Sequence, residues 1–216
     1  DARKIFEDKL VVVGDHLEMI FHRYLESRSG VRKVNINVGR RECEPWDPFL
    51  LNNQHTQTIS DEKYEDDRVT ITPYILPHVS HRTAEETARG AGPKGWNAQQ
   101  GFYIYRNKRM LVSGGYLDLP YQAEEHHKLA RIKIDITNDL DREWNIDVRK
   151  ATTQPPVRLR SELDKMAKLA RRYATKIYRS RMGRGGGGGN TASNEIVWKK
   201  KKSGEKIIYK INTSHP

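Results

Sequence analysis

Between Ala130 and Ile136 apolar and charged residues alternate without a break. Ala130, Ile132, Ile134 and Ile136 fall on one side of an extended chain, and Leu129, Arg131, Lys133 and Asp135 fall on the other. Successive side chains of a strand point to opposite faces, so this spacing predicts a strand with one face on a core. Further along, Pro155-Pro156 suits the first turn of a helix, and Leu159, Leu163, Met166, Ala170, Tyr173 and Ile177 then recur at about 100° per residue. A half-buried strand followed by a long amphipathic helix points to an α+β domain with one mostly antiparallel sheet and flanking helices.

The other segments fit that class. From Arg3 to Glu26, Phe6, Leu10, Val13, Leu17, Ile20, Phe21 and Tyr24 recur at spacings of three and four, which predicts a first amphipathic helix ended by Ser29-Gly30. Val34, Ile36 and Val38 alternate with polar residues and predict a strand. Residues 43–67 read as a long acidic loop. Val69, Ile71 and Ile75 open a strand that Pro73 and Pro77 confine to a sheet edge or to its ends. Residues 84–100 read as a glycine-containing loop. Phe102–Tyr105 and Met110–Val112 flank Arg106-Asn107-Lys108-Arg109, a hairpin in which Asn tolerates positive φ. Ile146-Asp147-Val148 returns as a brief strand. These elements set a domain over residues 1–182, a linker over 183–194 with five consecutive glycines, and a short basic two-strand extension over 195–216.

Charge divides the chain in the same place. Residues 1–157 carry 23 Lys and Arg against 24 Asp and Glu, whereas residues 158–216 carry 16 against 4. A neutral domain ending in a basic helix and tail suits contact with a polyanion, nucleic acid above all. Arg158, Lys165, Lys168, Arg172, Lys176 and Arg179 form a basic stripe roughly 130° around the helix from its apolar one, so one helix can pack and display charge together. Lys199, Lys200, Lys201 and Lys202 continue it. No base-reading Asn or Gln is interleaved, so the expected contacts are to the phosphate backbone.

Composition excludes several classes. An apolar run near the ~18 residues of a membrane span is missing, and so is a signal peptide, which predicts a cytoplasmic protein with no membrane partner. Cys43 is the sole cysteine, so the sequence allows neither an intrachain disulfide nor a cysteine zinc cluster. It also lacks a phosphate-binding glycine loop, a G-x-S-x-G nucleophile elbow and an H-E-x-x-H helix. His78 and His81 need further ligands to hold a metal, and His126-His127 face opposite ways if they lie on a strand, so no metal site is expected. Glu124-Glu125 and Asp66-Asp67 read as exposed acid pairs.

Three runs of residues carry a family resemblance: Asp15-His16-Leu17 through Phe21-His22-Arg23-Tyr24-Leu25, Glu44-Pro45-Trp46-Asp47-Pro48-Phe49, and Gly95-Trp96-Asn97-Ala98-Gln99-Gln100-Gly101 on to Phe102-Tyr103-Ile104-Tyr105-Arg106-Asn107. With His127–Ile132 and Ile146–Lys150, they make residues 1–182 resemble the second, transducer domain of bacterial GHKL ATPases, closest to the Morc-like and MutL-like proteins found beside restriction and phage-defence genes. The resemblance implies a fold like that of a small-subunit ribosomal protein, and a lysine that reaches a neighbouring domain to touch the terminal phosphate of ATP. Lys150 looks equivalent, with Arg149 beside it as the alternative contact. ATP and magnesium are then held by an N-terminal GHKL nucleotide-binding domain, and this chain is not catalytic by itself. The chain starts at Asp1 without Met, which fits a portion of a longer, dimerising protein.

The pattern departs from MutL in lacking a His-Pro pair before Lys150, which sets mismatch repair aside. Two other readings fit the same residues. One is a stand-alone nucleic-acid-binding domain in which Lys150 has no special role, and the other is part of a chaperone-like ATPase gripping protein clients.

Overall fold

The computed structural model describes residues 2–26, 33–146, 153–182, 198–203 and 206–211. Arg149, Lys150, the strand expected at Asp147-Val148 and the linker at 183–194 lie outside the described residues. Two units divide at residue 182, Asp1–Met182 and Gly183–Pro216. In chain order the first contains helices α1 (Ala2–Ile20) and α2 (His22–Leu25), strands β1 (Asn37–Val38), β2 (Arg41–Glu42), β3 (Gln57–Thr58), β4 (Glu62–Tyr64) and β5 (Val69–Ile75), then helices α3 (Ala84–Ala91) and α4 (Gly95–Ala98). Strands β6 (Gly101–Arg106), β7 (Arg109–Ser113) and β8 (Ala130–Ile136) and helix α5 (Arg160–Met182) complete it. The second unit contributes β9 (Trp198–Ser203) and β10 (Lys206–Ile211), an antiparallel pair with Lys199 opposite Lys210 and Lys201 opposite Ile208.

Six strands form one mixed sheet in the order β3-β5-β8-β6-β7, with β4 also paired to β5. Every pairing in it is antiparallel except β6 with β8. That exception follows from connectivity. The tight β6–β7 turn sends β7 to the sheet edge, and the chain then recrosses β6 to enter β8 in the direction of β6. At the turn Asn107 and Lys108 hold φ of 46° and 70°, the left-handed pair that matches strand twist. Gly101, at φ 104°, lets β6 start hard against the returning chain, since a Cβ there would lie 2.0 Å from the Gly115 carbonyl oxygen.

The alternation at 130–136 partitions the core. Ala130, Ile132, Ile134 and Ile136 join Ile71, Phe102 and Ile104 on the face covered by α5, which inserts Leu163 and Met166 together with Ala167, Ala170 and Ala174, while Leu159 packs there from the turn just before the helix. The three alanines, all fully buried, bring the helix backbone close to the sheet. The opposite face is aromatic: Trp46, Phe49, Tyr74, Tyr103 and Tyr105 pack with Met110. Both faces are therefore covered.

Four sequence expectations are corrected. β5 is an interior strand, flanked by β8 on one side and by β3 and β4 on the other. Pro73 is accommodated because its carbonyl accepts from Ile59 N (2.9 Å) on the β3 side, so its missing N–H also faces that side, where β3 and β4 are separate strands. Residues 43–67 are not all loop, since they supply β3 and β4. The stretch 84–100 forms α3 and α4 instead of a loop. Thr83 and Glu86 close a reciprocal capping box at the start of α3, and Gly92 (φ 57°) follows its end. Strand order at 34–38 shrinks to β1, which pairs only with β2, and Val34 is exposed. Among the described residues no helix is long and apolar enough to cross a membrane.

On the second face of β8, Arg131 is wholly buried and donates to the carbonyls of Pro48 and Gly90. Its guanidinium lies 5.4 Å from the Trp96 ring centre and 5.7 Å from that of Tyr103. Gly90 stands in the last turn of α3, where unpaired carbonyls attract a cation. Arg131→Met is expected to lower stability by roughly 3 kcal/mol, because two buried backbone acceptors lose their donor, and to lower Tm by roughly 6–12 °C in thermal unfolding.

Candidate functional site

The three runs that carry the family resemblance meet on the aromatic face. In the first, the His22 ring nitrogen Nε2 lies 2.9 Å from the Tyr105 hydroxyl, Arg23 pairs with Asp135 and the Tyr24 hydroxyl donates to the Asn107 carbonyl. In the second, Trp46 Nε1 donates to the Arg89 carbonyl (2.7 Å), and Phe49 packs on Tyr74 and Tyr103 at centroid distances of 4.7 and 5.3 Å. The third is α4 and β6 themselves. Burial drives the Tyr105 phenol well above its ordinary range, so its hydroxyl stays protonated. These residues build the scaffold: they hold α2, the 44–50 segment and α3 on one sheet face.

The basic stripe divides into two halves with different chemistry. Arg158 lies in the turn before α5 and pairs with Glu65 and Glu143. Lys165 reaches Glu162 (3.5 Å) and Glu62 (3.8 Å), and Lys168 reaches Asp164 at 2.6 Å. Lys168 and then the Tyr121 hydroxyl hold the Asp164 carboxyl below its usual range. The second half is unlike this. Arg172, Lys176 and Arg179 are exposed on consecutive turns and have no ion pair among the described residues, while the Tyr173 ring lies 5.9 Å from the Arg172 guanidinium and 5.6 Å from the Lys176 ammonium. Phosphate contact at Arg158, Lys165 or Lys168 must displace a carboxylate first; at the other three it need not. Lys199–Lys202 lie on β9 in the second unit.

A third group was not legible as a unit. Glu124 and the 3-10 turn Glu125–His127 lie against α5, and Glu124 Oε1 accepts from Arg171 at 3.2 Å. Glu124 Oε2 faces two imidazoles, 2.9 Å from His126 Nε2 and 3.6 Å from His127 Nδ1. Of the acid pair, Glu125 is exposed as expected and pairs with Lys128, whereas Glu124 is half-buried and engaged. Because the segment is a turn, His126 and His127 do not diverge as they would on a strand. Their ring centres are 4.0 Å apart.

Helix α1 leaves residues 2–13 largely uncovered. Ile5, Phe6, Val11, Val12 and Val13 are 47–67% exposed, on more than one side of the helix, whereas Ile20 is buried. An isolated solvated helix does not present apolar residues all round. A cleft of ≈ 250 Å³ beside α2 is lined by Leu25, Val34, Glu42, Cys43 and Glu44. It is smaller than most small-molecule pockets, and Lys33 lines it together with the two carboxylates.

Comparison with family models, with curated proteins and with solved structures finds no match to this chain.

His127 is buried, and that burial, followed by the charges of Arg171 and His126, lowers its pKa to about 4. Folding therefore favours the neutral ring. Above the unfolded value near 6.5 the term is fully present, and it is lost as pH falls toward the folded value, because the unfolded chain takes up the proton first. Stability is expected to decline between pH 6.5 and 4 through this residue. Chemical denaturation across that range should show a shallower decline in His127→Gln.

Proposed function

We propose that this chain is the transducer portion of a GHKL-type ATPase, a cytoplasmic module that couples the ATP state of a nucleotide-binding domain to DNA handling in a restriction or phage-defence setting. The observation that carries the reading is the uncovered apolar stretch of α1 from Ile5 to Val13. It is a surface that calls for a docked domain. The resemblance of residues 1–182 to such transducers and the carboxylate-free cluster Arg172, Lys176 and Arg179 support the two ends of the coupling.

Magnitudes assign the parts. One charge-assisted hydrogen bond from Lys150 to a terminal phosphate contributes roughly 1.5–3 kcal/mol, whereas moving a two-state equilibrium from 1:99 to 99:1 takes about 5.5 kcal/mol. Lys150 alone is too weak to drive the switch. Burying what remains exposed of five large apolar side chains adds on the order of 1 kcal/mol each. Docking along α1 thus holds the domains together, and gain or loss of the Lys150 contact biases which docked arrangement prevails. The nucleotide domain, with its ATP and magnesium, supplies the bond-breaking chemistry.

Two measurements test the ends separately. In the native full-length polypeptide, Lys150→Ala is expected to lower ATP turnover at least tenfold with unchanged far-UV circular dichroism; equal turnover overturns the coupling. Filter binding to random-sequence DNA across a salt series should give a slope of log K on log salt of about −2.7 if three phosphates are neutralised. Reversing Arg172, Lys176 and Arg179 to Glu should abolish retention, and a flat salt response in the parent removes DNA from the account.

A further inference from the structure

Glu124, His126 and His127 bring three metal-binding atoms together from four consecutive residues. Glu124 Oε2, one nitrogen of His126 and one of His127 all lie within 4.8 Å of one another. Ligand atoms about 2.0–2.2 Å from a tetrahedral ion stand roughly 3.3 Å apart. The present separations from Oε2, 2.9 Å to His126 and 3.6 Å to His127, bracket that value. Small side-chain rotations would seat an ion.

A second observation points the same way. His127 is only 9% exposed, and its Nδ1 has no hydrogen-bond partner. It aims at Glu124 Oε2 from beyond hydrogen-bond reach. A buried imidazole nitrogen left in this state is unfavourable unless something else satisfies it, and a metal ion between it and the carboxylate would do so.

The surroundings are those of a supported ligand set. Arg171 takes Glu124 Oε1 and leaves Oε2 to the imidazoles. Arg171 is itself fixed by the Gln122 carbonyl (3.1 Å) and by the rings of Tyr116 and Tyr121, at 5.2 and 4.7 Å. The Gln100 side chain holds the backbone of Glu124 from both sides, accepting from its N–H at 3.2 Å and donating to its carbonyl at 3.1 Å. Such outer contacts orient first ligands and sharpen affinity. Two imidazoles and a carboxylate select zinc-like dications over magnesium or calcium, which prefer all-oxygen shells. The positive charge of Arg171 opposes the ion, but its pairing with Oε1 offsets part of that repulsion.

We propose that Glu124, His126 and His127 form a binding site for a divalent transition metal of the zinc class, which clamps the 124–127 turn beside α5. The site is independent of the coupling reading above. Isothermal titration of the full chain with ZnCl2 and with MgCl2 tests it. One equivalent of Zn2+ should bind and Mg2+ should not. His126, whose side chain is 39% exposed, can be replaced without emptying the core. His126→Ala is expected to weaken Zn2+ binding at least tenfold and to abolish the rise in Tm that Zn2+ gives the parent. His55→Ala, altering the separate stacked pair His55 and His81, should leave both readings unchanged. Absence of Zn2+ uptake by the parent, uptake equal in His126→Ala, or uptake lost in His55→Ala instead would each overturn the site.

Discussion

The buried guanidinium of Arg131 sets the arrangement of one whole side of the molecule. Its strand position aims it away from α5, and it has no described carboxylate as an ion-pair partner. Backbone carbonyls take that place, one from the 44–50 segment and one from the C-terminal turn of α3. Burial pulls its pKa down, and the tyrosines Tyr103 and Tyr105, the Asp47 carboxylate, the Trp96 ring face and the helix-end carbonyls act against that burial. Arg82, 3.8 Å from the Trp96 ring, is lowered to about 10 by burial and by Arg131. Two cations thus share one indole. This contact ties β8, the 44–50 segment and α3 together, and the aromatic face forms around it.

Sequence spacing alone carried the α5 side of the fold. Ile132, Ile134 and Ile136 and the stripe from Leu159 to Ile177 meet as their periodicities require. The β6–β7 hairpin was legible too, because Asn107 is a residue that accepts positive φ. Periodicity failed where a charged or conformationally restricted residue was used for its backbone consequences. Arg131 read as a wet-face residue of an alternating strand, and only its tertiary partners make it a core residue. Pro73 read as an edge marker, but its missing donor falls opposite the division between two neighbouring strands. Gly90, Gly92 and Pro93 made 84–100 look like a loop, although Thr83 and Glu86 carried the capping signal that starts α3.

The candidate surfaces were legible in kind and not in detail. Charge counts located the basic end of the chain, but a helical wheel has no record of which lysines meet acids from β4 or from the same helix. The structure separates a neutralised half, Arg158, Lys165 and Lys168, from an open half, Arg172, Lys176 and Arg179. The Glu124 cluster escaped notice because adjacent histidines diverge on a strand and converge on a 3-10 turn, and the turn is dictated by Gln100 and Arg171 from elsewhere. Lys150, the residue on which the phosphate-sensing idea turns, lies outside the described residues.

Cys43 carries a further consequence. It is the single thiol of the chain, 4% exposed, with its sulfur 3.9 Å from the Gly14 carbonyl near the middle of α1, and burial raises its pKa. A sulfur so placed reacts with an alkylating reagent only when the surrounding structure opens. The rate of its modification therefore gauges how often α1 or the cleft beside α2 opens, and anything that holds either closed would register as slower alkylation without any label being engineered in.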